Sequence, residues 1–145
     1  MSTALTDAPS RRASPTVMLI EPEPMLRLTM TEFLHRSGCH VIPCPDAKVG
    51  AGALAEGAVR PLLILLGTRL LDTATADAAR QLRELARDAA ILGIADVIDP
   101  TATGHLPPDL RFLAPPFDLP DVLRAVRSHL RQAGCSLPDS ELLEA

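Results

Sequence analysis

Few residues in this chain are arranged as chemistry requires. Glu21 and Glu23 follow the apolar run TVMLI at 16–20. Two carboxylates two residues apart could help hold a divalent cation, but such an ion takes several oxygen ligands. No third acid stands beside them, so solvated loop acids are the simpler reading. Asp72 reads as a loop or helix-capping residue, and Asp96 and Asp99 as turn residues. His35, His40, His105 and His129 form no i,i+4 pair and no metal spacing, so solvated or capping roles are expected. Cys39, Cys44 and Cys135 form no CxxC. On a strand, the spacing of Cys39 and Cys44 puts them on opposite faces, too far apart to bridge. An odd count without a signal peptide reads as free thiols. GAGALAEG at 50–57 is an Ala/Gly helix rather than a phosphate loop after a strand. Arg124, Arg127 and Arg131 recur at i, i+3 and i+7 beside an apolar stripe. They make either a solvated helix face or a docking face.

The elements that must position these residues alternate. TVMLI (16–20) is a β-rich run closed by Pro22 and Pro24. Met25 to Ser37 reads as a helix with Leu26, Met30, Phe33 and Leu34 on one stripe, stopped by Gly38. CHVIPC (39–44) is a second strand, and Pro43 inside it marks a strand end or a sheet edge. Asp46 caps a helix over 47–56 that ends at Gly57. LLILL (62–66) is a third strand ended by Gly67, and a run without alternation suits a strand buried on both faces. Residues 74–88 form a helix with Ala78, Leu82, Leu85 and Ala89 on one side, and AILGIA (90–95) is a fourth strand. Residues 96–111 hold Pro100, Gly104, Pro107 and Pro108. Interior proline costs about 3 kcal/mol, so irregular chain or one loose turn is expected there, pinned by Val97, Ile98 and Leu106. Residues 112–114 make a short fifth strand. Asp118 or Pro120 opens a last helix running to Gln132, with Leu119, Val122, Leu123, Val126 and Leu130 inward and Gly134 as its stop. This alternation implies right-handed crossovers and a parallel sheet covered on both sides.

Three stretches resemble the receiver domains of two-component response regulators. VMLIEPEPMLR (17–27) is similar to the family's first strand and acidic loop, and RPLLILLGTRLLD (60–72) to the strand ending at the phosphorylated Asp. FLAPPFDLPDVLRAVRSHLR (112–131) is similar to the final strand, Lys-Pro-Phe turn and last helix. The likeness covers residues 16–132. It implies a three-layer α/β/α sandwich around a five-stranded parallel sheet of order 2-1-3-4-5, the flavodoxin-like receiver fold, with its fourth helix degenerate. Residues 1–15 are then a disordered leader and 133–145 a C-terminal tail.

Phosphoryl transfer to an Asp needs a cation, carboxylates to hold it, and donors for the transferred oxygens. Placed on this chain, the family's acidic pair falls on Glu21 and Pro22, the acceptor Asp on Gly67, the Thr or Ser on Ile94, and the Lys on Pro115. Nucleophile, cation site and counter-charge are missing together. The resemblance therefore implies a pseudo-receiver, not an enzyme and without a cofactor or metal. It would act as a phosphorylation-independent protein–protein interaction module in bacterial two-component-type signalling.

The family's partner surface carries over to Leu106, Phe112, Arg124, Arg127 and Arg131. The expected partner is a regulatory protein, or a second copy meeting it through the last strand and helix. Phe112 matches a rotating aromatic, and with Ile94 filling its inward slot the ring is expected to be locked. The family's turn also implies a cis peptide before Pro116. A second reading is a small-molecule or nucleotide site in the crevice beyond strands 1 and 3.

Composition narrows the classes further. The formal charge of −4 does not suit a nucleic-acid footprint. The 13 residues after Gln132 are too few for a reader domain. No run reaches the length of a membrane span, and MSTALTDAPSRRASPT lacks the apolar core of a secretion signal, so a cytoplasmic location is expected.

Overall fold

The structure, a computed structural model, describes residues 14–113, 117–135 and 137. The elements run β1 (Thr16–Ile20), α1 (Pro24–Arg36), β2 (His40–Cys44), α2 (Ala47–Ala55), β3 (Leu63–Leu71), α3 (Thr73–Leu85), β4 (Ala90–Ile98), a 3₁₀ helix (Pro100–His105), β5 (Arg111–Leu113) and α4 (Leu119–Gln132). All five strands are parallel, in the order β2-β1-β3-β4-β5. This is the expected 2-1-3-4-5 sheet, with Pro43 in the edge strand β2.

The sheet is buried on both faces because its central strands are aliphatic throughout. Val17 to Ile20 and Leu63 to Leu66 are each at most 4% exposed. Each such side chain contributes about 1.5–3 kcal/mol by leaving water. Val17, Leu19, Leu63 and Leu65 pack against α1 and α4, while Met18, Ile20, Ile64 and Leu66 pack against α2 and α3. Cys39 joins the first layer and Cys44 the second, on opposite faces as their spacing requires. Gly38, Gly57 and Gly134 adopt φ of 108°, 77° and 85° just past α1, α2 and α4, where side chains are strained. Leu137 is buried with the α1/α4 layer, so packing continues past the last helix.

Three local expectations are corrected. Gly67 does not end β3: the strand continues to Leu71, paired with β4 from Gly67↔Ile94 to Leu71↔Ile98. Residues 94–98 and 68 are rich in β-branched types, and each strand needs only the other as its partner. Asp96 to Ile98 therefore belong to β4 rather than to irregular chain. Val97 and Ile98 are 58% and 37% exposed and pin nothing. The segment is instead held by buried Ala102 in a 3₁₀ helix that starts at Pro100, where a missing N–H costs nothing, and by buried Pro107. In α3 the buried stripe is Ala76, Ala79 and Leu82, leaving Leu85 39% exposed.

The expected disordered leader, the Lys-equivalent Pro115, the bond before Pro116 and the end of the tail fall on residues 1–13, 114–116, 136 and 138–145, outside the described residues.

Candidate functional site

Glu21 follows β1 and is only 8% exposed. Its Oε2 accepts the Glu23 N–H at 3.0 Å, and its carbonyl accepts the Arg27 guanidinium at 2.8 Å. The other oxygen leans over β3. A β-carbon on Gly67 would lie 2.5 Å from Glu21 Oε1 and 3.1 Å from the Ile20 carbonyl. Where the resemblance places the acceptor, the chain has no side chain, and the neighbouring carboxylate fills the space. Burial pushes the Glu21 carboxyl above its ordinary range. The Glu23 N–H opposes that shift, the charges of Glu23 and Asp96 reinforce it, and Arg27 pulls weakly back.

Glu23 is committed elsewhere. It caps α1, its two oxygens accepting the N–H groups of Met25 and Leu26 at 2.9 Å each. Those donors hold its carboxyl below the usual range. Among the described residues, no three His, Cys, Asp or Glu side chains are placed to share a cation. Pro22 is exposed beside them. Asp72 caps α3 by accepting the Thr75 N–H at 2.9 Å, far from acceptor duty. Asp99 accepts the Thr101 N–H at 3.0 Å and is the turn residue expected, whereas Asp96 lies in the overhang of β4.

That overhang helps to wall a cavity of about 370 Å³ between α1, the start of α4 and the ends of β1, β3 and β4. Glu21, Glu23, Asp96 and Asp118 line it together with Arg69, over an apolar floor that includes Met30, Ile94 and Val122. It occupies the crevice proposed for a small molecule. Four carboxylates against one guanidinium do not favour a nucleotide's phosphates. Asp118 is itself an N-cap in a reciprocal capping box with Asp121.

Ile94 is 8% exposed and faces the α1/α4 layer. It therefore does not fill a slot for Phe112, which pairs with Gly93 and lies on the other face. The Phe112 ring occupies Gly93's own side-chain space, its Cε1 2.6 Å from where a β-carbon would stand. Leu106 and Phe112 are half-buried, Arg124 and Arg131 are exposed, and Arg127 is half-buried. Arg124 forms an ion pair with Asp121 one turn earlier.

Arg69, Asp96 and Asp118 were not singled out as site residues from the sequence. One signal was present: a glycine inside a strand often marks a close approach by a neighbour. Gly67 and Gly93 each mark one.

No family model matches the chain, and no curated protein does. Solved structures are similar to it. A response regulator receiver protein from Sinorhizobium medicae WSM419 is 22% identical at a TM-score of 0.69, covering 81% of this chain and 95% of that one. A CheY-like receiver domain protein from Methanospirillum hungatei JF-1 is 12% identical at a TM-score of 0.71, covering 83% and 97%. A response regulator from Burkholderia pseudomallei, solved with a phosphorylated aspartic acid, calcium and citrate, is 17% identical at a TM-score of 0.64, covering 83% and 71%. At such identities the likeness carries architecture: this chain has the fold of a response-regulator receiver domain.

Proposed function

We propose that the chain is a pseudo-receiver, a regulatory module of two-component-type signalling that binds another protein without being phosphorylated and catalyses nothing. The observation that carries this reading is the Glu21 carboxylate lying where a side chain on residue 67 would begin. A phosphoryl group has no acceptor there, and Ile94 offers it no donor. The similar Burkholderia protein carries a phosphorylated aspartic acid; in this chain the resemblance to receivers puts Gly67 at the acceptor position.

The proposed partner surface spans residues 97–131. It includes exposed Val97 and Ile98, half-buried Leu106, Phe112 and Arg127, and the exposed Arg124 and Arg131. The partner is a signalling protein, or a second copy joined through β5 and α4, rather than nucleic acid or membrane. No helix among the described residues is long and apolar enough to cross a membrane.

Acetyl phosphate, and beryllofluoride with magnesium, should leave intact mass and amide spectra unchanged. A stoichiometric aspartyl phosphate, or shifts clustered at 21–24 and 66–69, would refute the reading. The double reversal R124E/R127E should weaken association in pull-down or light scattering while circular dichroism stays native.

A further inference from the structure

The cavity at the C-terminal end of the sheet adjoins the arginine-bearing surface, and its lining says what would fill it. Its volume of about 370 Å³ lies in the range of pockets that hold a ligand or a large side chain. Its charges are unbalanced. Glu23 and Asp118 are absorbed by the N-termini of α1 and α4. Glu21 and Asp96 are not: Glu21, 8% exposed, accepts only the Glu23 N–H through Oε2, and no ion pair joins its carboxylate among the described residues. Asp96 is exposed and joined to no cation among those residues. The two carboxylates repel each other across the cavity.

The surroundings are apolar. Met30, Ile94 and Val122 form the floor, and Leu26, 43% exposed, stands at the edge. Ile98, 37% exposed, lies two residues past Asp96 and so on the same face of β4. A small inorganic cation would leave this apolar surface wet. An aliphatic stem ending in positive charge covers the floor and reaches both carboxylates.

We propose that this cavity receives an arginine or lysine side chain of the partner protein, flanked in that partner by apolar residues that cover Leu26 and Ile98. The inference rests on the binding role proposed above and adds the partner's chemistry. A basic anchor seated in a desolvated acidic pocket and ringed by apolar contacts concentrates binding energy in one residue. Arg69, on the cavity wall and without an ion-pair partner among the described residues, opposes the incoming charge and sets a limit on affinity.

The test uses the full chain, ¹⁵N-labelled, with the peptide acetyl-Ala-Leu-Arg-Leu-Ala-amide, its citrulline analogue and n-butylguanidinium. The arginine peptide should shift amides at 21–26, 68–69, 96–98 and 118–122. The neutral citrulline peptide should bind about tenfold more weakly or less. D96N should weaken the arginine peptide several-fold, and R69Q should tighten it. Because R69Q moves affinity in the opposite direction, loss of structure in D96N could not imitate the pattern. Equal binding of the arginine and citrulline peptides, shifts confined to another face, or no binding at all would overturn the proposal. Equal affinity for n-butylguanidinium and the peptide would also overturn it, because the apolar flanks would contribute nothing and the cavity would be a site for a small cation. Self-association abolished equally by D96N and by R124E/R131E would place a second copy there instead of a different protein. Beryllofluoride uptake in the same sample would end the pseudo-receiver reading while leaving the peptide result standing.

Discussion

The smallest decision in this molecule is the absence of a β-carbon at residue 67. Gly67 has no unusual backbone conformation, so alanine fits the strand but not the space, which Glu21 holds. G67A should cost about 1–3 kcal/mol by overpacking. In an E21A background most of that cost should vanish, and chemical denaturation of the four variants would give a coupling of about 1 kcal/mol or more. The charge of Glu21 has its own signature. Its carboxyl is raised by burial, so the folded state binds that proton more tightly than the unfolded chain. The stability it contributes is full below the unfolded value of 4.5 and is lost as pH rises through the folded value. E21Q keeps an acceptor for the Glu23 N–H without the charge. Its melting temperature should exceed wild type at pH 7, and the gap should shrink towards pH 4. A gap that widens on acidification would mean that Glu21 is stabilised as an anion. In the sequence, Gly67 reads as a missing acceptor and as a strand end. The first sense belongs to the function proposed above. The second is overturned, since β3 runs on to Leu71; chain order cannot show that a neighbouring carboxylate shields a strand glycine.

Among the elements, the strands and helices with strong patterns were legible: continuous aliphatic runs made β1 and β3, and the Asp caps at 46, 72 and 118 open their helices. The stretch from 96 to 111 was legible only as the lack of an α-helix. Four breakers exclude a helix, but nothing in them shows that β4 runs on to Ile98 or that Asp96 turns into a cavity. That part of the site depends on pairing between residues far apart in sequence. A long-range device also holds the segment. Arg83 on α3 donates from Nη1 to the carbonyls of Ala86 and Arg87, each at 3.2 Å, and to that of Ala89. Its Nη2 meets Asp109 at 2.6 Å. The carbonyl contacts close the end of α3, whereas the carboxylate partner is 59% exposed and its pair is screened by water. R83A should therefore destabilise by about 2 kcal/mol, since charged hydrogen bonds to carbonyls are lost together. D109A should cost less than about 1 kcal/mol. Urea denaturation distinguishes the two. Equal losses would mean that the ion pair, not the helix end, is the joint.

At the scale of the whole molecule, two halves of the core meet across one sheet, and each half holds a single fully buried cysteine. Cys39 sits with α1 and α4, and Cys44 with α2 and α3. Burial pushes the Cys39 thiol up to about 12 and raises Cys44 as well, so neither forms a thiolate in the closed molecule. Alkylation of either must wait until its own layer opens, and the reaction then counts those openings. Half-exposed Cys135 should be modified first. The order of the other two is a clock on each side of the sheet. Equal rates would show the chain loosening as one body. Unequal rates would name the side that breathes, and an arginine seated between α1 and α4 should slow only Cys39.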